Sequence, residues 1–280
     1  MNTVTNETST ETTGKPRFGK TFLALVALGV PGVLSLIPMA LGQVNALPPE
    51  MLDLPVPLTV ALALVNSLIL LAVAVAVGTL LAHRVGLRSL VAEKVRQGAP
   101  IWPQLRPYIR MAIVAGLIFS VVVVGLDALI NPFAGTELVN DPATAETPTI
   151  GALLTQLLMG MLYGGIVEEL LLRWGVMALF VWIGWRVAQR GQGLPTPALV
   201  WTAIILAALL FGIGHLPALA SMVTLTPLVV IRTVLLNALG GVLFGWLFWK
   251  RNLETAMVAH AAGHVGFFII NVGVALLNLG

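Results

Sequence analysis

Three ionisable side chains lie close together inside a long apolar run, at Glu168, Glu169 and Arg173. A charged side chain at the centre of a bilayer costs roughly 2.5–3.5 kcal/mol on insertion scales, so packing alone does not explain this group. Residues four apart share one face of a helix, and an acidic residue N-terminal to a basic one is the favourable order. We therefore predict that Glu169 forms an ion pair with Arg173 and points away from any site that Glu168 forms. Glu168 is separated from Glu169 by about 100° around the helix axis, so it lies outside this pair and is free for proton transfer.

Three of the four histidines also lie in apolar runs. The pattern Phe211-x-x-x-His215 places these two residues on one helical face, and His260 and His264 share a face for the same reason. Hydrolysis of a peptide bond needs a base near water, hydrogen-bond donors for the developing oxyanion, and a proton for the leaving amine. A carboxylate and three imidazoles within membrane segments could supply these groups.

Each of these groups also has a structural interpretation. The pair formed by Glu169 and Arg173 is interpreted mainly as a structural element. His215 taken alone could equally be an interhelical hydrogen-bonding group, and Glu168 could be a protonated acid bonded to a neighbouring helix. The combination of all of them in the last 120 or so residues favours a reactive site over scattered helix contacts.

The composition identifies a membrane protein with several spans. Hydrophobic residues make up 58% of the chain and charged residues only 10%, whereas a soluble domain has about 25% charged residues. The chain has no cysteine, which excludes a disulfide framework and a thiolate site. Because the basic residues fall in short loops between apolar runs, no nucleic-acid partner is expected. Asp127 and Arg232 are the other charges within spans, and we interpret both as structural or interfacial.

The predicted fold is an all-α transmembrane bundle of about seven spans, or eight if one segment is broken or re-entrant. Each apolar run is near or above the ~20 residues that a crossing requires. We interpret the first as a retained span, because it is long for a signal peptide and follows a long polar leader. Glycines at 160, 164 and 165 predict a break or a sharp tilt in the longest run, and a re-entrant segment could lie near 216–226. The predicted spans are 21–41, 58–82, 108–130, 150–185, 197–214, 227–249 and 254–278.

Three regions are predicted along the chain. Residues 1–19 are a disordered polar tail, residues 20–149 contain the N-terminal transmembrane helices, and residues 150–280 form the catalytic core. Loops 42–57 and 131–149 carry acidic residues and no Lys or Arg, whereas the intervening loop is strongly basic. The positive-inside rule then predicts a multi-pass protein with a cytoplasmic N-terminus and an external C-terminus, which we place in the plasma membrane of a prokaryote.

Three short patterns, each on an apolar run, carry a resemblance to a known family. They are Glu168-Glu169-x-x-x-Arg173, Phe211-x-x-x-His215 and His260-x-x-x-His264. In this order they resemble the signature of the CPBP family, also called ABI, which contains the CAAX prenyl endopeptidases and bacteriocin-processing or immunity membrane proteins. The resemblance covers about residues 150–275. It implies an intramembrane endopeptidase that acts on a peptide or membrane-protein substrate, which could be lipidated.

The resemblance also implies a role for each site residue. Glu168 would be the general base that activates water, and His215 would orient or polarise that water. His260 and His264 would contribute to the oxyanion site, with Glu169, Arg173 and Phe211 in support. The family usually has Asn or Asp where this chain has His264, but a neutral imidazole can donate a hydrogen bond as Asn does.

Two alternatives remain open at this stage. Glu168, His215, His260 and His264 could together bind zinc, since imidazole and carboxylate are ligands that zinc favours. The chain lacks the His-Glu-x-x-His helix of common zinc peptidases, so we favour a site without metal or other cofactor. A membrane regulator or immunity protein that binds a partner without cleaving it is the second alternative. A transporter is disfavoured, because no inverted repeat is visible.

Overall fold

The computed structural model describes residues 18–45, 47–48, 53–134, 149–220 and 223–278. Every regular element in these ranges is helical, which confirms the predicted all-α bundle. Among the described residues, six helices are long and apolar enough to cross a membrane, and one bent pair would make a seventh span. Most of the predicted tail, residues 1–17, lies outside the described ranges. The helices are α1 (Phe18–Leu34), α2 (Ile37–Asn45), α3 (Val56–Leu81), α4 (Leu90–Gln97), α5 (Ile101–Ala134), α6 (Ile150–Met159), the π-helix π1 (Gly160–Met177), α7 (Ala178–Ala188), α8 (Pro197–Gly214), α9 (Leu216–Ala220), α10 (Pro227–Lys250) and α11 (Leu253–Asn278).

The first predicted span is two helices rather than one. α1 and α2 meet at an angle of 40°. Pro38 in the first turn of α2 has no N–H to donate to the preceding turn, so a continuous helix would lose a backbone hydrogen bond there. The hydroxyl of Ser35 instead donates to the carbonyl of Gly32, at 2.6 Å. The segment therefore counts as one span only if the bent pair crosses together.

The longest helix is not broken at the three glycines, so the predicted break is wrong. The alternative, a sharp tilt, stays a prediction. α6 continues directly into π1 and then into α7. In a π-helix each N–H bonds to the carbonyl five residues earlier, and the N–H of Ala178 accordingly reaches the carbonyl of Arg173. Such turns are rare and concentrate at functional sites. All three charged residues of the first motif lie on π1.

Two glycines let the helices around the site approach closely. A side chain at Gly32 of α1 would collide with the backbone carbonyl of Leu162 on π1, and one at Gly116 of α5 would collide with that of Ala259 on α11. Backbone atoms cannot move aside as a flexible side chain can. Small residues at these crossings therefore hold π1 and α11 against their neighbours at a fixed distance.

α11 is hydrogen-bonded to the N-terminus of α4. The carboxylate of Glu254, in the first turn of α11, accepts hydrogen bonds from the hydroxyl of Ser89 at 2.7 Å and from the N–H groups of Leu90 at 2.8 Å and Val91 at 3.0 Å. A negative charge at a helix N-terminus also complements the helix dipole. Further along the bundle, Asp127 of α5 and Arg232 of α10 form an ion pair, which supports their structural interpretation.

The orientation can be tested with reporter fusions. We expect residues near 95 and near 190 to lie in the cytoplasm and residues near 140 to lie outside, since α5 separates the first from the last. Activity of paired alkaline phosphatase and fluorescent-protein fusions at these three points measures their location. Finding 95 and 140 on the same side would contradict the predicted topology.

Candidate active site

The carboxylate of Glu168 lies between two imidazoles from other helices. Its Oε1 is 4.0 Å from Nε2 of His215, at the end of α8, and its Oε2 is 3.8 Å from Nε2 of His260, on α11. Both separations are too long for a direct hydrogen bond, and such a gap can accommodate a bridging water. The side chain of His260 is 7% exposed, that of Glu168 17% and that of His215 36%, so the group is accessible from the His215 side. Glu168, His215 and His260 therefore converge as predicted, and they are called the reactive group.

The hydrogen bonding of His215 determines which ring nitrogen faces Glu168. Its Nδ1 lies 2.8 Å from the carbonyl oxygen of Phe211. A carbonyl can only accept, so Nδ1 carries the hydrogen and Nε2 of the neutral ring has a free lone pair. Glu168 and His215 therefore present two acceptors to one gap. This arrangement suits a single water that donates one hydrogen to each.

Glu169 joins Arg173 to the reactive group. Its Oε1 is 3.1 Å from Nη1 of Arg173, which confirms the predicted ion pair, and both side chains are buried. The same oxygen lies 2.8 Å from Nδ1 of His260, so the expectation that Glu169 points away from the site is wrong. A π-helix has more residues per turn than an α-helix, so Glu168 and Glu169 are separated by less than the expected angle. Both glutamates consequently contact His260 from one side of π1.

This contact also sets the proton on His260. The Glu169 carboxylate, in its ion pair with Arg173, accepts a hydrogen bond, so Nδ1 of His260 is the donor. In the neutral ring Nε2 then has no hydrogen and faces Glu168. His260 can therefore donate to an oxyanion from Nε2 only after that nitrogen has taken up a proton.

Aromatic rings hold these charged groups in place. Phe244 of α10 is fully buried and stacks on His260, with ring centroids 4.4 Å apart and planes 18° apart. The guanidinium of Arg173 lies over the rings of Phe211 and Phe244, at 4.9 and 5.4 Å, within the range of cation–π attraction. Phe244 was not among the site residues predicted from the sequence. Its position next to Gly245, in the glycine-containing stretch of α10, was the available signal.

His264 lies one turn beyond His260, on the same side of α11. The two imidazoles stack with centroids 5.1 Å apart and planes 19° apart. A side chain at Gly160 or at Gly164 would overlap the His264 ring. The glycines that suggested a helix break therefore make room for this imidazole.

Within the described ranges, no group of three or more His, Cys, Asp or Glu side chains is arranged to hold a metal ion. The preference for a site without a metal over a zinc site at Glu168, His215, His260 and His264 stays a prediction.

Comparison with known protein families gives a match in the second half of the chain. The family model described as Type II CAAX prenyl endopeptidase Rce1-like matches residues 149–265. This range contains every candidate site residue and none of the helices α1 to α5. No curated protein and no solved structure matches the chain.

Proposed function

We propose that the chain is, through residues 149–265, a member of the type II CAAX prenyl endopeptidases and that it hydrolyses peptide bonds within the membrane without a metal. The observation that carries the proposal is the position of Glu168 between His215 and His260, at 4.0 and 3.8 Å. These distances leave space for the attacking water. The substrate class follows the family: a prenylated peptide, or the tail of a membrane protein.

The first chemical step is attack of water on the scissile carbonyl. Glu168 takes one proton from the water as its oxygen forms a bond to the carbonyl carbon, and the carbonyl electrons move onto oxygen to give the oxyanion. His215 accepts the second hydrogen in a hydrogen bond and thereby orients the water. Its Nδ1 bond to Phe211 keeps the free lone pair of Nε2 in place.

The second step is collapse of the tetrahedral intermediate. The carbon–nitrogen bond breaks, its electron pair goes to the leaving amine, and the amine takes the proton that Glu168 removed from water. His260 is placed to share that proton, because its Nε2 faces Glu168 across 3.8 Å. While Nε2 holds the proton, before the amine takes it, His260 donates to the oxyanion and Glu169 stabilises the positive charge on the ring.

His264 extends this group of donors. Its ring stacks on that of His260 and occupies the position where the family usually has Asn. A neutral imidazole has one N–H, so His264 can supply the second hydrogen bond to the oxyanion. We propose this role for His264 in place of the amide.

The direct test is a cleavage assay on purified protein reconstituted in liposomes. A quenched fluorescent peptide with a farnesylated CAAX terminus serves as the probe, and mass spectrometry identifies the products. We expect the wild-type protein to cleave it and Glu168→Ala to leave it intact. Binding of the probe by both proteins, with no cleavage by either, would instead favour the non-catalytic regulator.

The absence of a catalytic metal can be tested separately. We expect elemental analysis of active protein to find no stoichiometric zinc, and chelators to leave activity unchanged. One zinc per chain, lost together with activity and restored by adding zinc back, would contradict the glutamate mechanism.

A further inference from the structure

A cleft of about 290 Å³ lies beside the reactive group, between α6 and α11. Its walls are mainly apolar and include Leu153 and Leu157 of α6 and Phe267 and Phe268 of α11. His264 also lines the cleft. Because His264 stacks on His260, the cleft shares a wall with the site of hydrolysis.

The outer part of the cleft carries two carboxamides. Gln156 of α6 and Asn271 of α11 both line it, and both side chains are exposed. Neither side-chain amide has a hydrogen-bond partner among the residues that the structure describes. The rest of the lining is mostly apolar, so the two amides are the groups to which a polar occupant of the cleft can bond.

The chemistry of the lining distinguishes between possible occupants. A carboxamide has both a donor and an acceptor, which match the carbonyl and N–H of a peptide backbone. Acyl chains of lipids have neither group. The apolar walls suit the side chains of a hydrophobic segment, while the two amides suit its backbone.

We propose that this cleft binds an extended stretch of the substrate polypeptide, with Gln156 and Asn271 hydrogen-bonded to its backbone, and leads it to Glu168. Asn271 lies eleven residues beyond His260, which is roughly 16 Å along a helix. An extended chain covers that distance in about five residues. The scissile bond should therefore lie about five residues from the part of the substrate that contacts the amides.

The proposal rests on the proposed function, but binding can be measured without turnover. In Glu168→Gln protein, a photoreactive phenylalanine analogue at Phe268 should cross-link to a biotinylated, farnesylated CAAX peptide. The matched control carries the analogue at Leu154, which is on α6, is 46% exposed and does not line the cleft. We expect the cross-link from position 268 to exceed that from 154 at least tenfold.

Kinetics give the second measurement. Removing both amides in Gln156→Leu/Asn271→Leu should raise KM about tenfold with kcat unchanged, because uniform binding of substrate is lost. Thr155→Leu, a polar-to-apolar change on the same helix outside the cleft, should leave KM unchanged.

The outcomes separate the two proposals. Cleavage of the probe with no preferential cross-link from position 268, or with cross-links to phospholipid only, would overturn the cleft proposal and leave the peptidase intact. A preferential cross-link from 268 without cleavage by wild-type protein would support the cleft and count against the proposed function. Neither cross-link nor cleavage would count against both.

Discussion

Replacing Glu168 with Gln should lower kcat by a factor of about 10²–10⁴, the usual contribution of a general base, while the thermal stability stays unchanged. Gln keeps the shape of the side chain but cannot take a proton from water. Glu168 is partly exposed, and its nearest ionic contacts are 3.8 and 4.0 Å away, so the fold does not depend on its charge. Steady-state cleavage of the farnesylated peptide gives kcat, and thermal unfolding in detergent gives stability.

Glu169→Gln is the matched control for this experiment. It makes the same chemical change one residue later, but Glu169 is fully buried and contacts both Arg173 and His260. We expect this variant to lose stability as well as activity, because Arg173 is left with an unpaired buried charge. If Glu168→Gln retained normal kcat, or lost as much stability as Glu169→Gln, the assignment of Glu168 as the base would be wrong.

Arg173→Ala should lower the free energy of unfolding by about 3–5 kcal/mol, the cost of breaking a buried pair by removing one partner. Arg173 is only 2% exposed and its partner Glu169 is 0% exposed. The change also removes the cation–π contacts to Phe211 and Phe244. Activity should fall with stability, since His260 loses the fixed orientation of the Glu169 carboxylate to which it donates.

A double variant provides the control for Arg173. Arg173→Met/Glu169→Gln removes both charges, so it should be more stable than Arg173→Ala, in which one buried charge remains. The comparison uses the melting temperatures of the wild-type protein, Arg173→Ala and the double variant, measured in the same detergent. An Arg173→Ala protein with full stability and no activity would contradict the scaffold role and place Arg173 in the chemistry.

The sequence predicted the membrane fold well, because long apolar runs and charge bias depend only on local composition. It did not predict backbone details within a run. The bend between α1 and α2 lies near Pro38. The residues on both sides of the bend are apolar, so composition alone does not indicate where the helix ends. π1 packs against α11, which is far from it in the sequence, and the glycines at the start of π1 were interpreted as a sign of a break or a sharp tilt.

The site was predictable to the extent that spacing within one helix determines contacts. The pair of Glu169 and Arg173 followed from their separation of four residues. The bond between Glu169 and His260 joins residues 91 positions apart and depends on the rotation of two helices, which no local pattern specifies. The stacking of Phe244 on His260 was missed for the same reason. The prediction that Glu168, His215 and His260 belong to one site was based on the order of the three motifs.

The space that Gly160 and Gly164 leave for His264 has an evolutionary consequence. These three positions form one steric unit, so they should change together among related sequences rather than independently. A lineage with the smaller Asn at the position of His264 is free to acquire Ala or Ser at either glycine, because no imidazole then fills the space. A lineage with His must keep both glycines. Covariation between the two segments, more than 90 residues apart, would thus record which hydrogen-bond donor each relative uses.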